Sequence, residues 1–158
     1  MSEQQTTEDA PVFNLQRIYV KDISFENPNS PEVFSEASKQ PKVQMSLDLS
    51  HRQVNDEHWE VSIKITAETR VQESDKLIFM IEVEQAGVFY FHKIPQESVQ
   101  LLLNVDCPTI IFPYTRQIIS QLSVDGGFMP FTLEPVNFNA LYQSKLEAAQ
   151  KKGNETVQ

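Results

Sequence analysis

The sequence predicts an α+β domain: a four-stranded antiparallel sheet arranged as a meander, followed by two helical segments. Two observations carry this. First, two runs alternate strictly. Val43, Met45, Leu47 and Leu49 stand against Gln44, Ser46, Asp48 and Ser50, and Trp59, Val61, Ile63, Ile65 and Ala67 against Glu60, Ser62, Lys64, Thr66 and Glu68. A period of two is the signature of a half-buried strand, and the polar turn at residues 52–57 makes the runs a hairpin. Second, strand patterns come first and helical patterns after, which is the order of an α+β domain; short connections then suggest a meander.

Residues 1–10 are polar and acidic, with nothing to bury, and are expected to be disordered. Strand character begins at Phe13. Uninterrupted alternation puts Phe13, Leu15, Tyr19, Ile23 and Phe25 on one face, and Ile18, Val20, Asp22, Ser24 and Glu26 on the other. Asn27-Pro28-Asn29-Ser30-Pro31 stops the strand, and residues 32–40 offer a short helical turn at most. The last strand, residues 77–91, opens on Leu77, Ile78, Phe79, Met80 and Ile81, apolar on both faces; Glu82 and Glu84 then alternate with Ile81 and Val83.

The chain is organised around residues 104–142, rich in Ile, Leu, Phe and Tyr and cut by Pro108, Pro113, Pro130 and Pro135. A helix over about residues 96–122 is expected to break near Cys107-Pro108 and at Pro113, because an interior proline forfeits a hydrogen bond and crowds the preceding turn. Pro113 suits a first turn. Tyr114, Ile118, Ile119 and Leu122 then recur at helical spacing, and Gly126-Gly127 closes the helix. Residues 128–138 read as an apolar loop that covers or receives something. Asn137 is a good N-cap for a second helix carrying Phe138, Leu141, Tyr142 and Leu146. The domain is expected over residues 11–147, with a flexible tail at 148–158.

Composition bounds the function. A chain of 158 residues with 40% hydrophobic content supports one core. Its net charge of -9 argues against a nucleic-acid surface and favours a partner with basic patches. Cys107 is the single cysteine, the N-terminus has no signal-peptide pattern, and no stretch is apolar enough for a membrane span. A soluble, cytoplasmic protein is expected.

Catalysis finds little support. The four glycines form no phosphate-cradling loop, and His51, His58 and His92 lack metal-ligand spacing. Cys107 has no activating neighbour in sequence, and Glu82 with Glu84 reads as a solvated strand face. No catalytic residue, metal site or cofactor is expected. The two-faced apolar start of the last strand exceeds what two helical segments can cover, which points to self-association. Acidic strand positions (Asp22, Glu26, Glu82, Glu84) beside an aromatic, proline-rich region point to a partner-binding protein.

Several segments together resemble the SecB family of bacterial export chaperones. They are Arg17-Ile18-Tyr19, Lys21-Asp22-Ile23-Ser24-Phe25-Glu26-Asn27-Pro28, Glu82-Val83 with Gly87 and Phe89, Cys107-Pro108, Phe112-Pro113-Tyr114 with Arg116, and Pro135-Val136-Asn137-Phe138 with Ala140-Leu141. The resemblance implies helices on one face of the sheet and assembly as a dimer of dimers, a homotetramer. It implies a cytoplasmic protein that holds unfolded precursors and delivers them to the motor SecA. Carried over by position, Asp22, Glu26, Met80 and Glu82 would meet SecA, and Ile81, Val83 and Gln85 would support subunit association. Phe34, Phe112, Tyr114, Phe128 and Phe131 would line a client groove. The chain departs from the family at Lys39, where an aromatic is common, at Ala86-Gly87, and at Lys151 and Lys152 in a tail that is commonly acidic. Two other readings stay open: a SecB-like chaperone of a toxin–antitoxin system, and a carrier of a small apolar ligand.

Overall fold

The computed structural model describes residues 10–36 and 40–155, without the side chains of the last two; the expectations for residues 1–9, Lys39 and residues 156–158 lie outside the described residues. Four strands come first: β1 (Val12–Glu26), β2 (Pro41–Asn55), β3 (His58–Val71) and β4 (Leu77–His92). They form one antiparallel sheet, in the order β1-β4-β3-β2. The α+β class and the four antiparallel strands are as expected; the meander is not. Only β2, β3 and β4 are joined as successive hairpins, and β1 lies beyond β4 in a Greek-key order. The cause is the proline-bearing connection between β1 and β2, which crosses to the far edge instead of turning back. It is anchored by fully buried Val33 and by Asn29 Nδ2, which donates to the Leu77 carbonyl at 2.9 Å.

Bulges correct the face assignments. In β1 the register slips between Leu15 and Arg17 and again between Val20 and Asp22. Each extra residue reverses the alternation that follows it. Leu15, Ile18, Val20, Ile23 and Phe25 therefore share the helix side, while Tyr19 faces outward with Asp22, Ser24 and Glu26. In β4, Thr69 pairs with Phe79 and Arg70 with Leu77, so Ile78 is the extra residue. Ile78, Phe79 and Ile81 are all buried inside the chain, and the surplus apolar surface lies elsewhere. It is on the helix side of the two edge strands, where Val20, Ile23, Val43 and Met45 are exposed.

The helices are α1 (Gln96–Leu101), α2 (Cys107–Asp125) and α3 (Phe138–Glu155), with a π-helical turn at Leu102–Asp106 joining the first two. Of the two expected breaks, the one near Cys107-Pro108 is present as the change from the π-helical turn to α2, with Pro108 in the first turn of α2; the one at Pro113 is not, since Pro113 sits inside the helix. Asn137 caps α3 through its Oδ1, which accepts from the Ala140 N–H at 3.0 Å. That helix runs on to Glu155, through most of the segment expected as a tail.

Helix α2 and the π-helical turn before it lie over the sheet, and Ile63, Ile65, Ile81, Val83 and Phe89 share one core with Leu103 of the turn and Ile111 and Ile119 of α2. One polar contact lies within this layer: the Thr115 hydroxyl donates to Gln85 Oε1 at 2.6 Å, both residues buried. Thr115→Val keeps the volume but strips a buried carbonyl of its donor. It should cost about 1–3 kcal/mol, read as a lower urea midpoint at unchanged slope.

Candidate binding surfaces: an apolar groove and an acidic sheet face

The groove begins where α2 ends. Gly127, at φ 92°, adopts the left-handed conformation that a helix C-terminus favours. The Gly127 and Phe128 N–H groups donate back to the carbonyls of Val124 and Ser123 at 2.9 and 3.0 Å, a Schellman closure. The chain is thereby turned over the sheet, and the Phe131 N–H is fixed on the Ser123 hydroxyl at 2.8 Å. Phe34 packs beside Phe128, and together with Met129, Pro130 and Phe131 they line the groove along with Val43, Thr69, Ile78 and Phe79. The volume is about 780 Å³. Ring centroids of Phe128 lie 5.1 Å from both Phe34 and Phe79, and Phe131 meets Phe79 edge-on at 6.0 Å.

Three of the five groove aromatics named from sequence meet here: Phe34, Phe128 and Phe131. Phe112 does not. It is buried in the core, edge-on to Phe138 at 5.8 Å. Tyr114 is 49% exposed beside a separate hollow with Gln117, Ile118 and Gln121. Neighbours two apart on a helix point to opposite sides, so the pair could not share one wall. Sequence reasoning missed Val43, Ile78, Phe79 and Met129 as lining; in the sequence Val43 stands only as one of the alternating apolar positions of β2.

The other side of the sheet is polar. The register places Asp22 opposite Glu84, Ser24 opposite Glu82 and Glu26 opposite Met80. The four residues expected to meet a partner (Asp22, Glu26, Met80 and Glu82) thus share one patch on two adjacent strands. Lys64 of β3 reaches it, with Nζ 2.8 Å from Glu82 Oε1. Ile81, Val83 and Gln85 alternate with this patch and point inward, at 0%, 0% and 4% exposure, beneath α2.

Beyond the patch lies a carboxylate that the sequence did not single out. Glu60 is nearly buried on this face and accepts three donors from the two edge strands: the Tyr19 hydroxyl on Oε2 and Lys21 Nζ at 3.2 Å on Oε1, both from β1, and Arg52 Nε of β2 at 3.0 Å on Oε1. Burial alone would raise its pKa, but the three donors together hold it below the ordinary value. Tyr19 is pushed up to about 12 by burial and by this carboxylate. Lys21 is the extra residue of the second β1 bulge, so the ion pair pins the bulge in place.

Nothing in these groups prepares a nucleophile. The Cys107 thiol is buried, and burial with neighbouring Asp106 pushes its pKa well up. His92 is engaged with Glu57 at 2.7 Å, and His58 with Asn55 and Gln16. Among the described residues there is no group of three His, Cys, Asp or Glu side chains placed to hold a metal, and no helix long and apolar enough to cross a membrane.

Reversible apolar contact on one side of a sheet, with fixed charge on the other, is the equipment of a polypeptide-binding protein. Residues 6–149 match the family model described as Preprotein translocase subunit SecB, and the chain belongs to the SecB family of protein-export chaperones. It is 48% identical over 141 residues to the protein-export protein SecB of Desulfotalea psychrophila, covering 89% of this chain and 90% of that one. It is 41% identical over 153 residues to the SecB of Magnetococcus marinus, at 95% and 96% coverage. Among solved structures, it resembles a SecB-like chaperone of Mycobacterium tuberculosis bound to a peptide of an antitoxin. There the TM-score is 0.67 and the identity 14%, over 78% of this chain and 90% of that one. At that identity the likeness is one of fold.

Proposed function

We propose that this chain is an ATP-independent chaperone that holds precursor proteins unfolded and export-competent in the cytoplasm, and hands them to the SecA motor. The observation that carries the reading is the aromatic groove on a chain whose relatives at 41–48% identity are protein-export proteins. Unfolded clients have in common apolar side chains and unpaired backbone. The groove takes the first, at about 1.5–3 kcal/mol for each large side chain buried. The open edge of β2 can take the second by strand addition. Ordering a flexible client offsets much of this gain, so single grooves are weak and several linked grooves are needed.

Self-association to a homotetramer supplies the linkage. Exposed Val20 and Ile23 on β1, with Leu101, Tyr114 and Val124 on the helices, are the apolar surface it would cover. Ile81, Val83 and Gln85 would act on assembly indirectly, by seating α2. With no nucleotide to drive release, the client leaves by transfer, and SecA docks on Asp22, Glu26, Met80 and Glu82.

The toxin–antitoxin reading is not favoured, since the high-identity relatives are export proteins and the antitoxin-bound neighbour is 14% identical. A small-ligand carrier would show a stoichiometric ligand in native mass spectrometry. The test of the main reading has two parts. The chain in modest excess should slow precipitation of a denatured export precursor without nucleotide, and light scattering should return about four chains per particle. Unchanged precipitation would end the holding role, and a monomer at micromolar concentration would end the linkage argument.

A further inference from the structure

Cations on the open sheet face are unevenly committed. Lys21 and Arg52 both converge on Glu60, Lys42 is engaged with Asp75, and Arg70 with Glu68. None of these four is bonded to the acidic patch of Asp22, Glu26, Glu82 and Glu84. Among the described residues, Lys64 is the one cation whose ion pair reaches that patch.

Its position is telling. In the strand register Lys64 lies between Asp48 of β2 and Glu84 of β4, yet its ammonium leans diagonally to Glu82. Glu84 is left facing Asp22 directly, two like charges across a strand pair, an arrangement that costs stability. Both members of the Lys64–Glu82 pair are partly exposed, at 46% and 28% of their side-chain surface. A pair so open to water is weak and readily exchanged. Lys64 is also held firmly in its charged form, by Glu82 first and by Glu84 and Asp48 in addition.

We propose that Lys64 is the exchangeable counter-ion of this face: it occupies Glu82 in the free chain, and a basic partner docks by displacing it while neutralising the Asp22–Glu84 pair. This rests on the docking reading given above and adds two residues to it. Lys64 limits affinity for the partner, and Glu84 contributes to it. Displacement suits the residue, since a lysine is a point charge on a flexible stem that can swing into water when another cation takes its place.

The test is calorimetric titration of SecA into the full chain and into Lys64→Gln, Lys42→Gln and Glu84→Gln. Lys64→Gln should tighten binding about fivefold at low salt, the scale of one exposed ion pair, and Glu84→Gln should weaken it by a similar factor. Lys42→Gln makes the same charge change away from the patch and should leave affinity within about twofold. Lys64→Gln binding no tighter than the parent overturns the exchange, and so does equal tightening by both lysine variants, which would reduce the effect to net charge. Glu82→Lys with undiminished affinity would instead remove the docking reading itself, so the two failures are told apart.

Discussion

Replacing Val43 and Met45 together by aspartate should lower affinity for an unfolded client about a hundredfold, with no loss of fold. Both side chains are about half exposed, at 49% and 47%, so in the free protein the new carboxylates stay hydrated. Val43 lines the groove, and Met45 continues the same side of β2. A client lying there would lose two apolar contacts and would have to desolvate two carboxylates, a combined effect of about 3 kcal/mol. Fluorescence anisotropy with a labelled, non-folding precursor measures this, and the urea midpoint is the control. Undiminished affinity would move the client site away from β2.

Glu82→Lys should remove SecA binding, by about a hundredfold or more, and leave prevention of client aggregation as it was. Reversal takes away one carboxylate of the patch, adds a cation to it, and leaves Lys64 beside a like charge. The side chain lies on the opposite side of the sheet from the groove, and it is partly exposed, so the change should not reach the client groove. A pull-down with SecA, run beside a light-scattering assay of client precipitation, separates the two activities. Loss of both would mean that one surface serves both purposes.

Much of this was legible in the sequence, in physically understandable ways. The β2–β3 hairpin follows from strict alternation, with Met45 opposite Ala67 and Leu47 opposite Ile65 as the pattern requires. Asn137 and Gly126-Gly127 were readable because caps use few residue types. Three features were not readable. The strand order was hidden because no local pattern says that β1 closes on β4. The outward turn of Tyr19 was hidden because a bulge adds a residue without changing composition. Glu60 looked like any polar strand position, since two of its three donors, Tyr19 and Lys21, are 41 and 39 residues away in sequence. Phe112 and Tyr114 were assigned to the groove by position in a family, and a helix sends adjacent aromatics to different environments.

The end of β1 is a shared joint. Phe25 points inward, and its ring fills the place where a side chain on Gly126 would stand: a Cβ there would come within 2.2 Å of Cζ. Asn27 reinforces the seat by donating to the Gly126 carbonyl at 3.2 Å. Between them Glu26 points outward, into the acidic patch opposite Met80. The hinge on which the aromatic lining of the groove hangs is therefore braced by the immediate chain neighbours of a docking-face carboxylate, and any load borne at Glu26 is carried one residue away from the bracket that holds that lining.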